Sequence, residues 1–246
     1  MPNPTNKIAI VTGASGGIGA AVAERLAKGG FTVIVNYAGN VASAEALVAK
    51  IEAAGGRAVT AQADVADAAA VARMFDTAEA AFGGVDVLVN CAGIMQLATI
   101  AESDDGLFDR QIAVNLKGTF NTLRESSRRL RNGGRIINIS SSVTMRLPPT
   151  YGVYAATKAA VEAMTSILTK ELRGREITVN AIGAGPTATK LFLDGKPQEL
   201  IDQLSKMAPL ERLGRPEDIA ATVAFVAGPD GAWINGQTLH ANGGII

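Results

Sequence analysis

Short β-branched runs alternate with longer Ala-rich segments along nearly the whole chain, and this alternation restricts the possible folds more than any other feature. Strands are expected at 7–11, 32–35, 57–62, 85–90, 135–139, 177–181 and 237–239. Helices are expected over 20–28, 42–54, 68–82, 108–130, 153–172 and 216–226. Crossovers of this length join parallel strands in the right-handed sense and cover both faces of the sheet. The expected fold is α/β: a single domain over 1–246 with a doubly wound, seven-stranded parallel sheet of the Rossmann type and helices on both faces. Gly29-Gly30, Gly55-Gly56, Gly83-Gly84 and Gly133-Gly134 each close an Ala- or Arg-rich segment ahead of a strand, where helix ends favour glycine.

Composition removes several function classes. With 23 basic and 23 acidic residues among 246, the balanced charge gives no reason to expect nucleic acid or a membrane as partner. One Cys excludes an intrachain disulfide, and one His leaves a multi-histidine zinc site without ligands, so no metal site is expected. The opening segment has no cationic stretch followed by a long apolar run, and no apolar run is long enough to span a bilayer. A cytoplasmic location is the expectation.

The first expected strand runs into Thr12-Gly13-Ala14-Ser15-Gly16-Gly17-Ile18-Gly19 and then a helix. Gly13 suits a tight turn, Gly17 a close backbone approach to a pyrophosphate, and Gly19 close packing of helix on strand. The helix N-terminus would supply N–H donors to the anion, with Ser15, Gly16 and Ile18 on the same loop. No Lys-Ser or Lys-Thr ends the loop, which favours a dinucleotide over a nucleoside triphosphate. The second strand ends in Asn36-Tyr37-Ala38-Gly39-Asn40 without the acid that would repel a ribose 2′-phosphate. NADP(H) is therefore expected ahead of NAD(H), with Asn36, Tyr37, Ala38 and Asn40 as contacts. Asp64 and Val65 follow the third strand, where Asp64 could accept from the adenine amine or cap a helix beside Asp67.

Tyr154 and Lys158 stand four apart on one expected helix face, and Ser141 lies just beyond a strand end on the edge where ligands sit in such sheets. A phenol with an ordinary pKa of about 10 is expected to be lowered by a nearby ammonium. Tyr154 can then supply a proton to a carbonyl while Ser141 holds its oxygen. Met95, Val143, Leu147 and Tyr151, with Leu191 and Phe192, are expected to wall an apolar substrate pocket, together with Leu97 and Met145. Cys91 reads as a buried structural thiol, and Trp233 as a packing anchor or interface residue.

On these motifs the chain resembles the short-chain dehydrogenase/reductase family over essentially its whole length. The opening glycine motif matches Thr12 to Gly19, the family's Asn-Asn-Ala-Gly element appears as Asn90-Cys91-Ala92-Gly93, and the catalytic Asn, Ser, Tyr and Lys match Asn115, Ser141, Tyr154 and Lys158. The resemblance implies that Tyr154 is the acid or base and that Lys158 binds the nicotinamide ribose and lowers the Tyr pKa. It implies further that Ser141 positions the substrate oxygen, and that Asn115, at a bend in its helix, holds a relay water. Asn90, Ala92, Gly93, Gly185, Thr187 and Thr189 are implied cofactor contacts, with Ala184 replacing the family's usual Pro and expected to loosen the segment. The stretch 186–206 is similar to the family's mobile substrate flap. A carbonyl or alcohol substrate and a homotetramer are also implied. The motif set resembles 3-oxoacyl-[acyl-carrier-protein] reductases too, and Arg124, Arg128, Arg129, Arg131, Arg135, Arg173 and Arg175 are candidates to dock an acidic carrier. Sugar and polyol dehydrogenases share the fold, and a dinucleotide-binding regulatory module is the non-enzyme alternative.

Overall fold

The computed structural model describes residues 7–246; residues 1–6 of the opening segment read above lie outside the described residues. Seven parallel strands make one sheet: β1 (Ile8–Thr12), β2 (Thr32–Tyr37), β3 (Arg57–Gln62), β4 (Val85–Asn90), β5 (Leu130–Ser141), β6 (Thr178–Ala184) and β7 (Thr238–Ala241). Their order is β3-β2-β1-β4-β5-β6-β7, so the winding reverses between β1 and β4. Every residue of β1, β2 and β6 is buried, as strands covered on both faces require.

Strand alternation divides the core in two. Ala9, Val11, Val33 and Val35 pack with α1 (Gly17–Lys28), α2 (Val41–Ala53) and, further along the chain, residues 219–227, through Leu26, Leu47 and Val223. Ile8, Ile10 and Ile34 face the other way, toward Phe75 of α3 (Ala68–Phe82), Leu123 and Leu168. The remaining helices are α4 (Asp105–Gln111), α5 (Gly118–Arg129), α6 (Val143–Arg146), α7 (Gly152–Glu171), α8 (Lys190–Leu193), α9 (Gln198–Lys206) and α10 (Pro216–Ala227). No helix among the described residues is long and apolar enough to cross a membrane.

Three local readings change. The helix expected over 108–130 is interrupted by a π-helical turn at Ile112–Lys117 that holds Asn115 fully buried. Gly133-Gly134 ends no helix: it lies inside β5, where Gly133 takes φ 77° and the β4–β5 register shifts. A Cβ on Gly134 would stand 2.8 Å from the Asp86 carbonyl, so glycine there permits a close strand approach. The flap region contains α8 and α9, whose short length hid them among turn formers.

The arginine run is mostly committed to the fold. Arg129 at the end of α5 donates to Asp76 and Glu79, each at 2.6 Å, and to Glu125 at 3.3 Å, joining α5 to α3. Arg131 pairs with Asp86, Arg135 bonds the Gly133 and Gly134 carbonyls, and Arg175 donates to the carbonyls of Ser127 and Leu130. These groups stand by the beginnings of β5 and β6, at the opposite edge of the sheet from Ser141. Arg129→Leu is expected to lower unfolding free energy by about 2 kcal/mol, read by urea denaturation. The hydrogen bond from Arg129 holds the Glu79 pKa below its ordinary value. This contribution is therefore full above the ordinary carboxylate range and fades as pH falls through the depressed value. Equal stability of variant and parent at pH 7 would contradict the role.

Candidate active site

A cavity of about 630 Å³ opens at the carboxyl edge of the sheet, where the winding reverses. The β1–α1 loop forms one wall. Gly13 has φ 61°, and a Cβ there would lie 2.7 Å from Ala92 Cα; a Cβ on Gly19 would lie 2.5 Å from the Gly13 carbonyl oxygen. Gly16 caps α1 without a side-chain hydrogen bond, which leaves first-turn N–H groups to an anion. Ser15, Gly17 and Ile18 line the same wall. These features fit the pyrophosphate of a dinucleotide.

Around the ends of β2 and β3 the structure changes several of the expected contacts. Ala38, Asp64 and Val65 line the cavity, with Ala63, which sequence reasoning missed. Asp64 Oδ1 accepts the Ala66 N–H at 2.9 Å, and Asp67, not Asp64, caps α3. Asn36 reaches the wall, but its amide is turned inward: it donates to the Ala61 and Ala63 carbonyls and accepts the Gly13 N–H at 3.2 Å. It therefore ties the loop to β2 and β3. Tyr37 is a correction, because strand alternation sends it into the core beside α2. Asn40 is another: it caps α2 by accepting the Ser43 N–H and does not line the cavity.

Ser141 ends β5, and α7 brings Tyr154 and Lys158 to the same wall. Lys158 Nζ lies 5.7 Å from the Tyr154 ring centroid and donates to the Ile139 carbonyl at 2.7 Å. Burial pushes the Tyr154 phenol up to about 12, opposed by its hydrogen bond with Ser141. The lowering expected from the ammonium is absent: burial raises the phenol, Tyr151 adds to the rise, and Ser141 is the group that lowers it. Burial lowers Lys158 to about 8, with Cys91 and Glu162 acting against it. Cys91 lines the cavity beside Lys158; burial pushes its thiol up to about 12, so it stays protonated at neutral pH.

Asn115 is buried behind the wall. Its Oδ1 accepts the Ile94 N–H at 2.8 Å and its Nδ2 donates to the Ile94 carbonyl at 2.9 Å and to Thr157 Oγ1 at 3.3 Å. Its amide thus clamps the cavity-lining stretch Gly93-Ile94-Met95. Asn90 lies outside the lining: it donates to Asn138 and accepts from Thr122 within the core, while Ala92 and Gly93 do line the cavity. Glu162 went unnoticed in the sequence, although it follows Lys158 by four positions. It accepts from Ser140 Oγ at 2.5 Å and Thr144 Oγ1 at 3.1 Å, fixing the turn that carries Ser141.

Ala184, the residue at the family's proline position, is paired on both sides. It is buried in β6 between Ser141 and Ala241, and its carbonyl accepts both the Ser142 N–H and hydroxyl. Gly185, Thr187 and Thr189 follow on the cavity wall. Met95, Val143, Tyr151, Leu191 and Phe192, expected to wall a substrate pocket, line the cavity, joined by Pro148 and Leu204. Tyr151 stands edge-on to Tyr154 with centroids 6.4 Å apart. Leu147 is a correction: its left-handed φ of 46° turns it outward, 68% exposed. Leu97 and Met145 are likewise exposed and off the wall. Trp233 is 98% exposed and anchors nothing within the chain.

A reversed-winding sheet, a glycine loop at a bare helix start and a Ser-Tyr-Lys group on the same cavity define a dinucleotide-dependent oxidoreductase. The family model described as enoyl-(acyl carrier protein) reductase matches residues 13–246. A short-chain type dehydrogenase/reductase of Picea abies is 45% identical, covering 98% of this chain and 92% of the relative. The NADPH-dependent aldehyde reductase-like protein, chloroplastic, of Arabidopsis thaliana is 43% identical over 98% of this chain and 94% of its own. Among solved structures, a short chain dehydrogenase from Burkholderia cenocepacia J2315 in complex with NADP superposes with a TM-score of 0.92 at 39% identity, covering 98% of each chain. The chain belongs to the short-chain dehydrogenase/reductase family.

Proposed function

We propose that the protein is an NADP(H)-dependent oxidoreductase that interconverts a ketone or other carbonyl and the corresponding alcohol, with Tyr154 as general acid in reduction and general base in oxidation. The observation that carries this reading is that Ser141, Tyr154 and Lys158 meet in the same cavity as the glycine loop. The loop and the α1 N-terminus hold the pyrophosphate, and Asp64 faces the adenine end. The acid-free stretch at Ala38 and Gly39 tolerates a 2′-phosphate, and Gly185, Thr187 and Thr189 face the nicotinamide end. When bound, NADPH supplies a hydride to the carbonyl carbon.

Ser141 holds the carbonyl oxygen by donating its hydroxyl proton, and Tyr154 passes its phenolic proton to that oxygen as charge develops. A phenol held near 12 is protonated at neutral pH, the state reduction needs. Lys158, cationic below about 8, binds the ribose hydroxyls and stabilises the phenolate left behind. Asn115 positions the Ile94 backbone, and Glu162 holds the Ser141 turn. The flap at 186–206 covers the substrate. A cytoplasmic homotetramer belongs to the same reading, with Trp233 as apolar surface for another subunit to cover.

The lowered Lys158 pKa sets a pH dependence. Reductive kcat/KM is expected to be level below pH 7 and to fall about tenfold per unit above pH 8 as the ammonium loses its proton. A profile still level at pH 10 would contradict the role given to Lys158. The whole reading is tested by NADPH oxidation with a panel of ketones, aldehydes and keto-thioesters; no turnover with any of them would defeat it. An acyl-carrier thioester remains the second reading, favoured by the description of the matching family model. The apolar wall of Met95, Val143, Leu191 and Phe192 suits sugars and polyols less well. A non-enzymatic binder would need none of the Ser-Tyr-Lys chemistry.

A further inference from the structure

The cavity carries a guanidinium that the reaction does not use. Its charged walls are Asp64, Lys158, Lys190 and Arg146. Asp64 belongs to the adenosine end and Lys158 to the proton transfer. Lys190 begins α8 after Thr189, whose side chain stands 3.4 Å from a Cβ built on Gly17. Arg146 lines the cavity with Val143, Pro148 and Tyr151.

Arg146 is half-buried at the last position of α6 and forms no ion pair among the described residues. Its one side-chain hydrogen bond among the described residues runs from Nη2 to Met207 Sδ at 3.7 Å, and a thioether is a weak acceptor. A guanidinium presents five donors in a planar fork, so most of its capacity is left over. Its field also reaches Tyr151, where it opposes the rise that burial imposes on that phenol. The side chain therefore bears on the wall that adjoins Tyr154.

The backbone around it is unusual. Leu147 and Thr150, neither of them glycine, take φ of 46° and 72° on either side of Pro148-Pro149. Left-handed conformations at such residues persist where the surrounding structure holds them, and they collect at ligand-binding sites. Here they direct Leu147 outward while Arg146 and Pro148 stay on the cavity wall.

We infer that the substrate end recognises a carbonyl compound bearing an oxyanionic group, a carboxylate or a phosphate, which Arg146 binds while the carbonyl sits against Ser141 and Tyr154. This rests on the carbonyl-reductase reading and narrows it. Nothing acidic lines that end of the cavity to compete with the ligand. A paired fork of charge-assisted hydrogen bonds would orient the substrate end to end, a task the apolar walls cannot perform.

The test compares reductive kcat/KM for 3-oxobutanoate, 4-oxopentanoate and 5-oxohexanoate with that for their methyl esters, and adds dihydroxyacetone phosphate as the phosphate arm. The native enzyme is expected to favour at least one anion over its neutral counterpart by about tenfold to a hundredfold. Carboxylate preference and phosphate preference identify the two sources separately. In Arg146→Gln the anion-to-ester ratio is expected to fall close to one, with Arg146→Lys in between. Esters matching or exceeding the acids at every length, together with poor turnover of the phosphate, would overturn the inference while leaving the reductase reading intact. An anion preference that survives in Arg146→Gln would overturn it equally. Absence of turnover with acids, phosphate and esters alike would defeat the reductase reading and this inference with it.

Discussion

Tyr154→Phe is expected to lower kcat for carbonyl reduction by about 10² to 10⁴, the range a positioned general acid supplies. Phenylalanine keeps the ring that meets Tyr151 edge-on at 6.4 Å, so the cavity wall retains its shape. What is removed is the hydroxyl that burial keeps protonated at neutral pH, against the lowering by Ser141. The loss should therefore fall on kcat, while the NADPH Kd from fluorescence titration changes by less than about threefold, because the pyrophosphate is held by the distant glycine loop. Steady-state kinetics and titration on the same preparation separate the two. Turnover within about twofold of the parent would remove Tyr154 from the chemistry.

Gly19→Val carries the second large effect. Gly19 is in ordinary right-handed helix and has no unusual φ, so the substitution tests space alone. A Cβ there would stand 2.5 Å from the Gly13 carbonyl oxygen and 3.0 Å from Ala14 Cα. Backbone atoms cannot rotate away as a side chain could, so the loop must move off α1. Overpacking of this kind costs about 1–3 kcal/mol and displaces the N–H groups that meet the pyrophosphate. NADPH affinity is expected to fall by about tenfold to a hundredfold or more, measured by titration calorimetry on protein whose circular dichroism matches the parent. Unchanged affinity would mean that the loop does not hold the cofactor.

Much of this was legible in the sequence because two periodicities and a few glycines carry it. β3 and α3 fall at the residues expected, and Gly13, Gly19, Ser141, Tyr154 and Lys158 converge on one cavity. Side-chain direction at element ends was less legible. Tyr37 and Asn40 sit beside a wall residue, Ala38, yet strand parity buries the first and the demand of α2 for a cap takes the second. Asn90 was read as a contact, but it lies one position before the chain turns to the cavity and meets Asn138 across the sheet. Proline is usual at Ala184, and sequence alone does not show what replaces its stiffness. Pairing on both sides by β5 and β7 supplies the rigidity instead. Glu162 escaped notice because a carboxylate four residues after a lysine on a helix ordinarily reads as an exposed pair, whereas its partners are hydroxyls at the end of β5 and the start of α6. Burial overrode the proximity argument for the Tyr154 pKa, since sequence spacing places an ammonium but not the water that the fold removes.

The central claim is that this cavity moves a hydride between NADP(H) and a carbonyl carbon under the proton donor Tyr154. The most direct measurement uses NADPH deuterated at nicotinamide C4, in each of its two stereochemical forms, with a ketone the enzyme turns over, and locates the label by mass spectrometry and NMR. The account predicts one deuterium on the carbinol carbon from one form only, with the hydroxyl proton drawn from solvent. Alcohol that carries no label from either form, or no oxidation of NADPH by any carbonyl offered, would contradict it.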